Sequence, residues 1–593
     1  MTAILRDAAS QTWRLFEQPR ALVVARDPDE VVPALQRIEA ECAQGAYAAG
    51  FLAYEAAAAF DPALRVQSDG LFPLLWFGLY DRFYELPDDV VELPEPGVRI
   101  PSRWTASIDR ARYGDVFLTL QELIRRGETY QVNFTYRLTT PMECSPWALF
   151  RHLVSAQKTA YGAYIDTGTW VVCSASPEMF FEQRGTAITS KPMKGTAARG
   201  LWYEQDRQRA DQLRASEKER AENVMIVDMV RNDLGRIAHI GSVRVSALFD
   251  VERYPTVWQM TSTVEAETDA SLAGVMAALF PPASITGAPK ASTMGIIADL
   301  ECSPRRLYTG TIGFLDPDGR AQFNVAIRTA IINTETATAE YGVGGGIVAD
   351  SNPAQELAEA ELKAKVLGGR RPDFDLLETL LWKRGEGYVL LDRHLTRLMQ
   401  SAEYFGFTLD TGRVRKRLDD WARDCATRKM DTADRCRVRL IVSKRGAVDL
   451  SASTLTAETE RFTDVELAGP IDSGDPFLYH KTTNRQTYEA AIASRAGAAD
   501  VLLFNERHEL TESTIANVII EIDGALVTPP LACGLLPGTA RARLLDEGTI
   551  SERVVTIDDL ARASRLYLVN AVRGMHEIAR PAADDSVRRA TDM

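Results

Sequence analysis

No stretch of about 18 consecutive uncharged apolar residues occurs in the chain, so no membrane-spanning helix is expected. Positive charge is also short. Lys and Arg number 68 against 82 Asp and Glu, a net charge of −14, and the basic face that nucleic-acid binding usually needs is not expected. Cysteine is sparse: Cys42, Cys144, Cys173, Cys302, Cys425, Cys436 and Cys533 lie far apart, with no C-x-x-C pair among them. They read as reduced thiols, mostly in the core, rather than as disulfides or a zinc site. The first residues include Arg6, Asp7, Arg14, Glu17 and Arg20, with no apolar signal region, so a cytoplasmic location is expected. No repeat with a period of about 20 to 50 residues recurs, which excludes a solenoid.

What is present is the composition of an ordinary globular protein, 46% apolar and 25% charged over 593 residues, too long for a single core. Prolines cluster in a polar setting from Leu86 to Trp104, which reads as a connector. After it, the spacing of Val116, Phe117, Leu120 and Ile124 predicts a helix ended by Gly127, and Tyr130 to Leu138 reads as a strand. The second break is Gly368-Gly369-Arg370-Arg371-Pro372-Asp373, which ends a helical pattern and precedes the apolar run Phe374 to Trp382. The expected organisation is a first domain of residues 1–368, a linker of 369–374 and a second domain of 375–593, with a frayed end from Pro581.

Two acidic pairs and a lysine stand out in the first domain. Glu219 and Glu222 are three apart on an expected helix from Ser216 to Ile237, and so are Glu356 and Glu359 on a helix that Asn352 can cap and Pro353 can start. Lys363 follows Glu359 by one turn. Two acidic helix faces brought together would suit a hard cation with oxygen ligands, magnesium above all. Lys194 lies in Pro192-Met193-Lys194-Gly195-Thr196, between a stiff approach and a glycine that admits a bound molecule close to the backbone. An amine held there can act as a nucleophile.

These stretches, with Tyr130-Gln131-Val132-Asn133, Ile285-Thr286-Gly287-Ala288-Pro289-Lys290, Phe323 to Thr329 and Gly344-Gly345-Gly346, resemble the chorismate-utilising enzymes from about Tyr113 to Leu367. The resemblance implies antiparallel sheets flanked by helices. It implies magnesium at Glu222 and Glu359, supported by Glu219 and Glu356, holding the ring carboxylate of chorismate. The second carboxylate would meet Arg328 and bare N–H groups of a Gly344–Gly346 turn, with Lys363, Thr286 and Gly287 also against the substrate. Lysine at position 194 is similar to the aminodeoxychorismate synthase branch, whereas the anthranilate and isochorismate branches generally have alanine. Lys194 would then attack ring C2, with Glu178 as acid for the departing C4 hydroxyl, and burial near the metal would lower the amine's pKa. Gln131 replaces the water-activating lysine of isochorismate synthases, which argues against water as nucleophile. Gln259 departs from a histidine common among relatives. No G-x-C-x-G nucleophile elbow surrounds any cysteine, so ammonia is expected from a separate glutamine amidotransferase subunit.

From Phe374 onward the chain resembles the fold type IV pyridoxal-phosphate enzymes, which include aminodeoxychorismate lyases and several aminotransferases. Arg393-His394-Leu395-Thr396-Arg397 matches the phosphate-gripping segment, with Arg397 as a bidentate ligand, and His480-Lys481-Thr482-Thr483-Asn484 the Schiff-base segment, with Lys481 as its lysine. Glu512 would face the pyridine nitrogen, and Thr539, in Leu536-Pro537-Gly538-Thr539, would receive phosphate at a helix start. The resemblance implies an α+β chain of two units that aminates chorismate at C4 and then eliminates pyruvate to give p-aminobenzoate, with a homodimer through the second half. The alternative is an anthranilate-type or aminodeoxychorismate synthase joined to an aminotransferase.

Overall fold

The strands of the first three hundred and seventy positions build two ten-stranded sheets rather than one. A computed structural model of the chain describes residues 1–92, 98–157, 159–368, 372–427, 434–456, 461–495 and 497–581. Two compact units emerge, Met1–Arg199 with Arg209–Arg371, and Gly200–Gln208 with Pro372–Met593. The excursion of 200–208 into the second unit follows no break in composition. Residues 369–371 of the expected linker, 93–97 of the proline connector and 582–593 of the tail lie outside the described residues.

In the first unit both sheets are antiparallel. One runs through the strands Gln131–Pro141, Thr338–Ile347, Thr329–Asn333, Trp170–Ser176 and Tyr161–Asp166 to the chain's first hairpin. The other runs from Met193–Ala198 through Val257–Glu267, Ala187–Lys191 and Met179–Arg184 to Leu75–Tyr80 and Ala21–Ala25. Leu5, Phe16, Phe51, Phe72, Trp76 and Trp170 fill the layer between the sheets. Helices cover the outer faces, so strands such as Leu75–Tyr80 are buried on both sides and read as unbroken apolar runs.

Local chemistry sets the two acidic helices. Glu217–Gly235 is capped by the Ser216 hydroxyl, which accepts from Glu219 N, and turns Ile226, Val227, Val230 and Leu234 inward. Pro353–Ala364 starts at a proline, and the Asn352 side chain accepts from Ala354 N and Gln355 N at 3.0 and 3.2 Å. The glycine run differs from expectation. Gly344–Gly346 is no turn; it is the last part of the strand Thr338–Ile347, paired residue by residue with Thr135, Phe134 and Asn133. Glycine serves there because neighbouring groups occupy the space of a side chain.

The second unit has a four-stranded antiparallel sheet built on Leu376–Lys383 and Arg435–Val442, with the helix Leu391–Phe405 packed against it. An eight-stranded sheet follows, mostly antiparallel, in which Val465–Ile471 pairs in parallel with Asp500–Asn505. No described helix is long and apolar enough to cross a membrane.

Candidate active sites

In the first unit a cavity of about 150 Å³ opens between the ends of both sheets and the two acidic helices. Its wall includes Glu178, Lys194, Glu219, Glu222, Arg328, Gly344, Gly346, Glu356, Glu359 and Lys363. The Lys194 side chain is 17% exposed, and its amine lies 2.9 Å from a Glu222 carboxylate oxygen. The backbone beneath it is pinned from two sides. Asn223 donates to Lys194 O at 3.1 Å, while Gln259 donates to Gly195 O at 2.9 Å and accepts from the Thr196 hydroxyl at 3.0 Å. Gln259 thus braces the lysine strand with both ends of its amide. Gly195 adopts φ 104°, a region that favours glycine.

Gly346 explains how the amine fits. A Cβ there would stand 2.7 Å from Lys194 Nζ and 3.5 Å from Gln131 Nε2, so the bare strand makes room for both side chains. Gln131 is 1% exposed, and neither end of its amide has a hydrogen-bond partner among the described residues. A buried amide left this way retains donors and an acceptor for a bound molecule. The Tyr341 hydroxyl, in the same wall, also lacks a partner among the described residues.

The electrostatics are lopsided. Glu178 accepts from the Ser284 hydroxyl at 2.7 Å, and burial pushes its carboxyl up to about 7, so it keeps a proton near neutrality. Burial and then the adjacent carboxylates push Glu219 and Glu356 upward as well, whereas Lys363, 2.9 Å from Glu359, holds that residue below the usual range. At Lys194, where burial near magnesium is expected to lower the pKa, the protein groups alone act in opposite directions. Burial works against its charge, but Glu222, Glu359 and Glu356 outweigh it and raise the amine above the ordinary lysine value.

Among the described residues no three acidic, His or Cys side chains form a ready metal cluster. Glu222 and Glu359, from separate helices, still fit magnesium, which commonly takes one or two carboxylates and fills the rest with water and substrate. Lys363 also donates to Gly344 O at 2.9 Å, and Arg328, at φ 52°, donates to Lys363 O at 3.2 Å. Three expected substrate contacts sit behind the wall. The Thr286 hydroxyl donates to Pro282 O at 3.2 Å, Gly287 pairs with Val132 in the sheet, and Gly345 backs onto Glu356.

The second unit holds a cavity of about 270 Å³ lined by Arg397, Lys481, Glu512 and Thr539 among others. Burial, then the charge of Arg397, lowers the Lys481 amine to about 8. Glu512 is pushed up to about 7 by burial, and three donors fix it: Tyr488 Oη at 2.8 Å, Leu536 N at 3.1 Å and Asn517 Nδ2 at 3.1 Å. Arg397, the expected phosphate ligand, is fixed by protein acceptors. Its Nε and one terminal nitrogen donate to the buried Glu378 at 2.8 and 2.7 Å, and the other terminal nitrogen donates to Pro537 O at 3.1 Å. His394 bridges Glu378 at 2.7 Å and Thr539 at 3.3 Å. A partly neutral lysine, a fixed carboxyl and cationic and hydroxyl donors at one end are a donor set that fits pyridoxal phosphate.

The sequence reading missed Glu378, although a lone carboxylate inside the apolar run Leu376 to Trp382 was the signal for it. It also missed Ser284, Tyr488 and Asn517, which no pattern along the chain marks.

Comparisons with known proteins divide the chain between two families. Residues 2–368 match the chorismate binding enzyme family and residues 375–580 the amino-transferase class IV family. The chain is 40% identical over 299 residues to an aminodeoxychorismate synthase of Streptomyces griseus, covering 48% of this chain and 41% of that protein. It is 41% identical over 262 residues to an aminodeoxychorismate synthase component 1 of Klebsiella aerogenes, covering 44% and 58%. The chain thus spans about half the length of the curated relatives it matches. Among solved structures, anthranilate synthase component I of Streptococcus pneumoniae TIGR4 superposes with TM-score 0.52 at 23% identity, over 62% of this chain and 92% of that one, a likeness of fold.

Proposed function

The chain belongs to the chorismate binding enzyme family, and from that premise we propose that it converts chorismate and ammonia to p-aminobenzoate and pyruvate, one step in each half. The division of labour falls at residues 369–374. The observation that supports the first step best is a lysine amine and a carboxyl protonated near neutrality lining one cavity.

In the first step Lys194 attacks ring C2 of chorismate, both conjugated ring double bonds shift, and the C4–O bond breaks. Glu178 gives its proton to the departing hydroxyl, which leaves as water. Ammonia then bonds to C4, both double bonds shift back, and the lysine amine leaves C2 with the bonding pair, giving 4-amino-4-deoxychorismate. Arg328, Lys363, the Tyr341 hydroxyl and the edge of the Gly344–Gly346 strand receive the enolpyruvyl carboxylate. Magnesium, held by Glu222 and Glu359 with Glu219 and Glu356 beside them, would supply charge for the ring carboxylate and take up the glutamate charge that now keeps Lys194 an ammonium. Gln131 beside the amine offers no base for water, which favours ammonia as the incoming group.

In the second step pyridoxal phosphate, when bound, supplies the electron sink that makes the C4 hydrogen acidic. Glu512, fixed by Tyr488 and Asn517, would meet the ring nitrogen, and Thr539 with the Arg397–His394 pair would hold the phosphate. Lys481, partly neutral near pH 8, removes the C4 proton and returns it as the C3–O bond breaks and pyruvate departs. A separate glutamine amidotransferase supplies the ammonia, the chain works in the cytoplasm, and the second half forms a homodimer.

Incubating the purified chain with chorismate, ammonium, magnesium and pyridoxal phosphate tests the reading. p-Aminobenzoate with equimolar pyruvate supports both steps; anthranilate, or glutamine-dependent activity of this chain alone, overturns the assignment of the first. A keto-acid requirement in the second step would make that half an aminotransferase.

A further inference from the structure

The segment Arg435-Cys436-Arg437-Val438-Arg439-Leu440 alternates charge with apolar side chains in the strand Arg435–Val442. Cys436, Val438, Leu440 and Val442 turn into a hydrophobic core, so Arg437 and Arg439 share the opposite face. Register places Arg439 between Thr379 and Ser451, and Arg437 between Leu381 and Ser453. None of these cross-strand neighbours is acidic. On that face the nearest carboxylate in register is Asp449, opposite Ile441, while Glu378, opposite Leu440, turns to the other face. Leu377 and Thr379 lie on the same face, and all four side chains line the cavity that contains Lys481.

Two more guanidinium groups complete the wall. Arg573 lies over the Phe462 ring at 5.0 Å, and burial and then the charge of Arg437 depress its pKa, which places like charges side by side. Arg485 donates to Thr514 O at 2.6 Å and lies over the Tyr488 ring at 4.8 Å. Against these, Glu512 is the sole carboxylate among the described residues of the wall, with a pKa near 7. Among the arginines of the wall Glu378 pairs with Arg397, and it is shared with His394. A cofactor phosphate dianion would offset two further charges. A surplus of guanidinium remains in the open part of the cavity, more than a single amino-acid carboxylate would neutralise.

We propose that Arg437 and Arg439, with Arg573 beside them, form an anion-binding wall that selects amine substrates carrying two carboxylates over monocarboxylate amino acids. Each planar guanidinium fork suits one carboxylate, and strand alternation sets the two on one face. The inference rests on the reading of the second half as the consumer of aminodeoxychorismate, a dianion with one ring and one enolpyruvyl carboxylate. It adds the residues that reject simple amino acids.

The test uses the full-length holoenzyme and the variants Arg437→Gln, Arg439→Gln and the double variant, each checked for unchanged thermal unfolding. KM and kcat for pyruvate release from aminodeoxychorismate are measured, and calorimetry gives the affinity for 3-(carboxymethoxy)benzoate, an unreactive dicarboxylate, and for benzoate. Each substitution should raise KM about tenfold, an amount expected for one partly exposed charged hydrogen-bond partner, with kcat within about twofold. The double variant should lose the preference for the dicarboxylate over benzoate while its affinity for pyridoxal phosphate stays unchanged. An unaltered KM, a surviving dicarboxylate preference, or a cofactor affinity that falls in step with KM would overturn the wall. If the wild type releases no pyruvate, the lyase reading fails, and the calorimetry still judges the arginines.

Discussion

Replacing Gly346 by alanine isolates the close approach on which the first step depends. The new Cβ would stand 2.7 Å from Lys194 Nζ, ordinary contact begins near 3.4 Å, and the amine must therefore retreat by about 0.7 Å. Gln131, at 3.5 Å, needs no movement. The backbone at 346 is a paired strand without positive φ, so alanine is compatible with it and should hold or slightly raise stability, by about 0.4–1 kcal/mol. The lysine yields because its stem is flexible, and its 2.9 Å contact with Glu222 stretches. A reacting atom displaced by about 1 Å loses on the order of 100-fold in rate. Formation of aminodeoxychorismate from chorismate and ammonium should fall by roughly that factor. Pyruvate release from aminodeoxychorismate supplied directly should be unchanged. A variant that aminates chorismate at the wild-type rate would refute the reasoning, because Lys194 would then not need its observed place. A variant that fails to fold would refute the packing argument.

Other substitutions probe separate parts. Lys194→Ala should abolish amination at C4 and leave thermal unfolding intact, measured by product analysis and calorimetry. Because Glu178 holds its proton up to about pH 7, the first-step rate should drop about tenfold per pH unit above that value, and Glu178→Gln should remove this limb with a loss of about 10² to 10⁴ in rate. The same carboxyl, raised from 4.5 to about 7, contributes stability that is full below 4.5 and lost as pH rises through 7. Glu178→Gln should therefore stabilise the chain at pH 8, by at most about 3 kcal/mol in a denaturant titration. Glu378→Gln leaves Arg397 and His394 without their shared carboxylate. It should cost about 3 kcal/mol of stability and weaken pyridoxal phosphate binding in a fluorescence titration; unchanged values would show the carboxylate to be dispensable.

The acidic helices were legible because their signals are local. Ser216, Asn352 and Pro353 act within a turn of where they sit, and i, i+3 spacing needs no knowledge of the rest of the chain. The glycine run misled because three glycines in sequence look alike in a turn and in a strand. Only the pairing with Thr135, Phe134 and Asn133, some two hundred residues away, decides between them. The carboxylate charge around Lys194 was hidden for a related reason. Burial can be read from neighbours in sequence, but the sum of Glu222, Glu359 and Glu356 around one amine exists only after two helices and two sheets meet. Arg397 shows the same limit, since its partner Glu378 comes from an adjoining strand. Where Glu378 could have been found, the clue was its solitary charge among apolar neighbours.

Mass spectrometry of the intact chain, incubated with chorismate and magnesium in the absence of ammonia, tests the nucleophilic lysine most directly. A gain equal to chorismate less water, confined to the peptide that contains Lys194 and absent from the Lys194→Ala variant, is the expected result. No gain, or an equal gain in the variant, would contradict covalent attack by that amine.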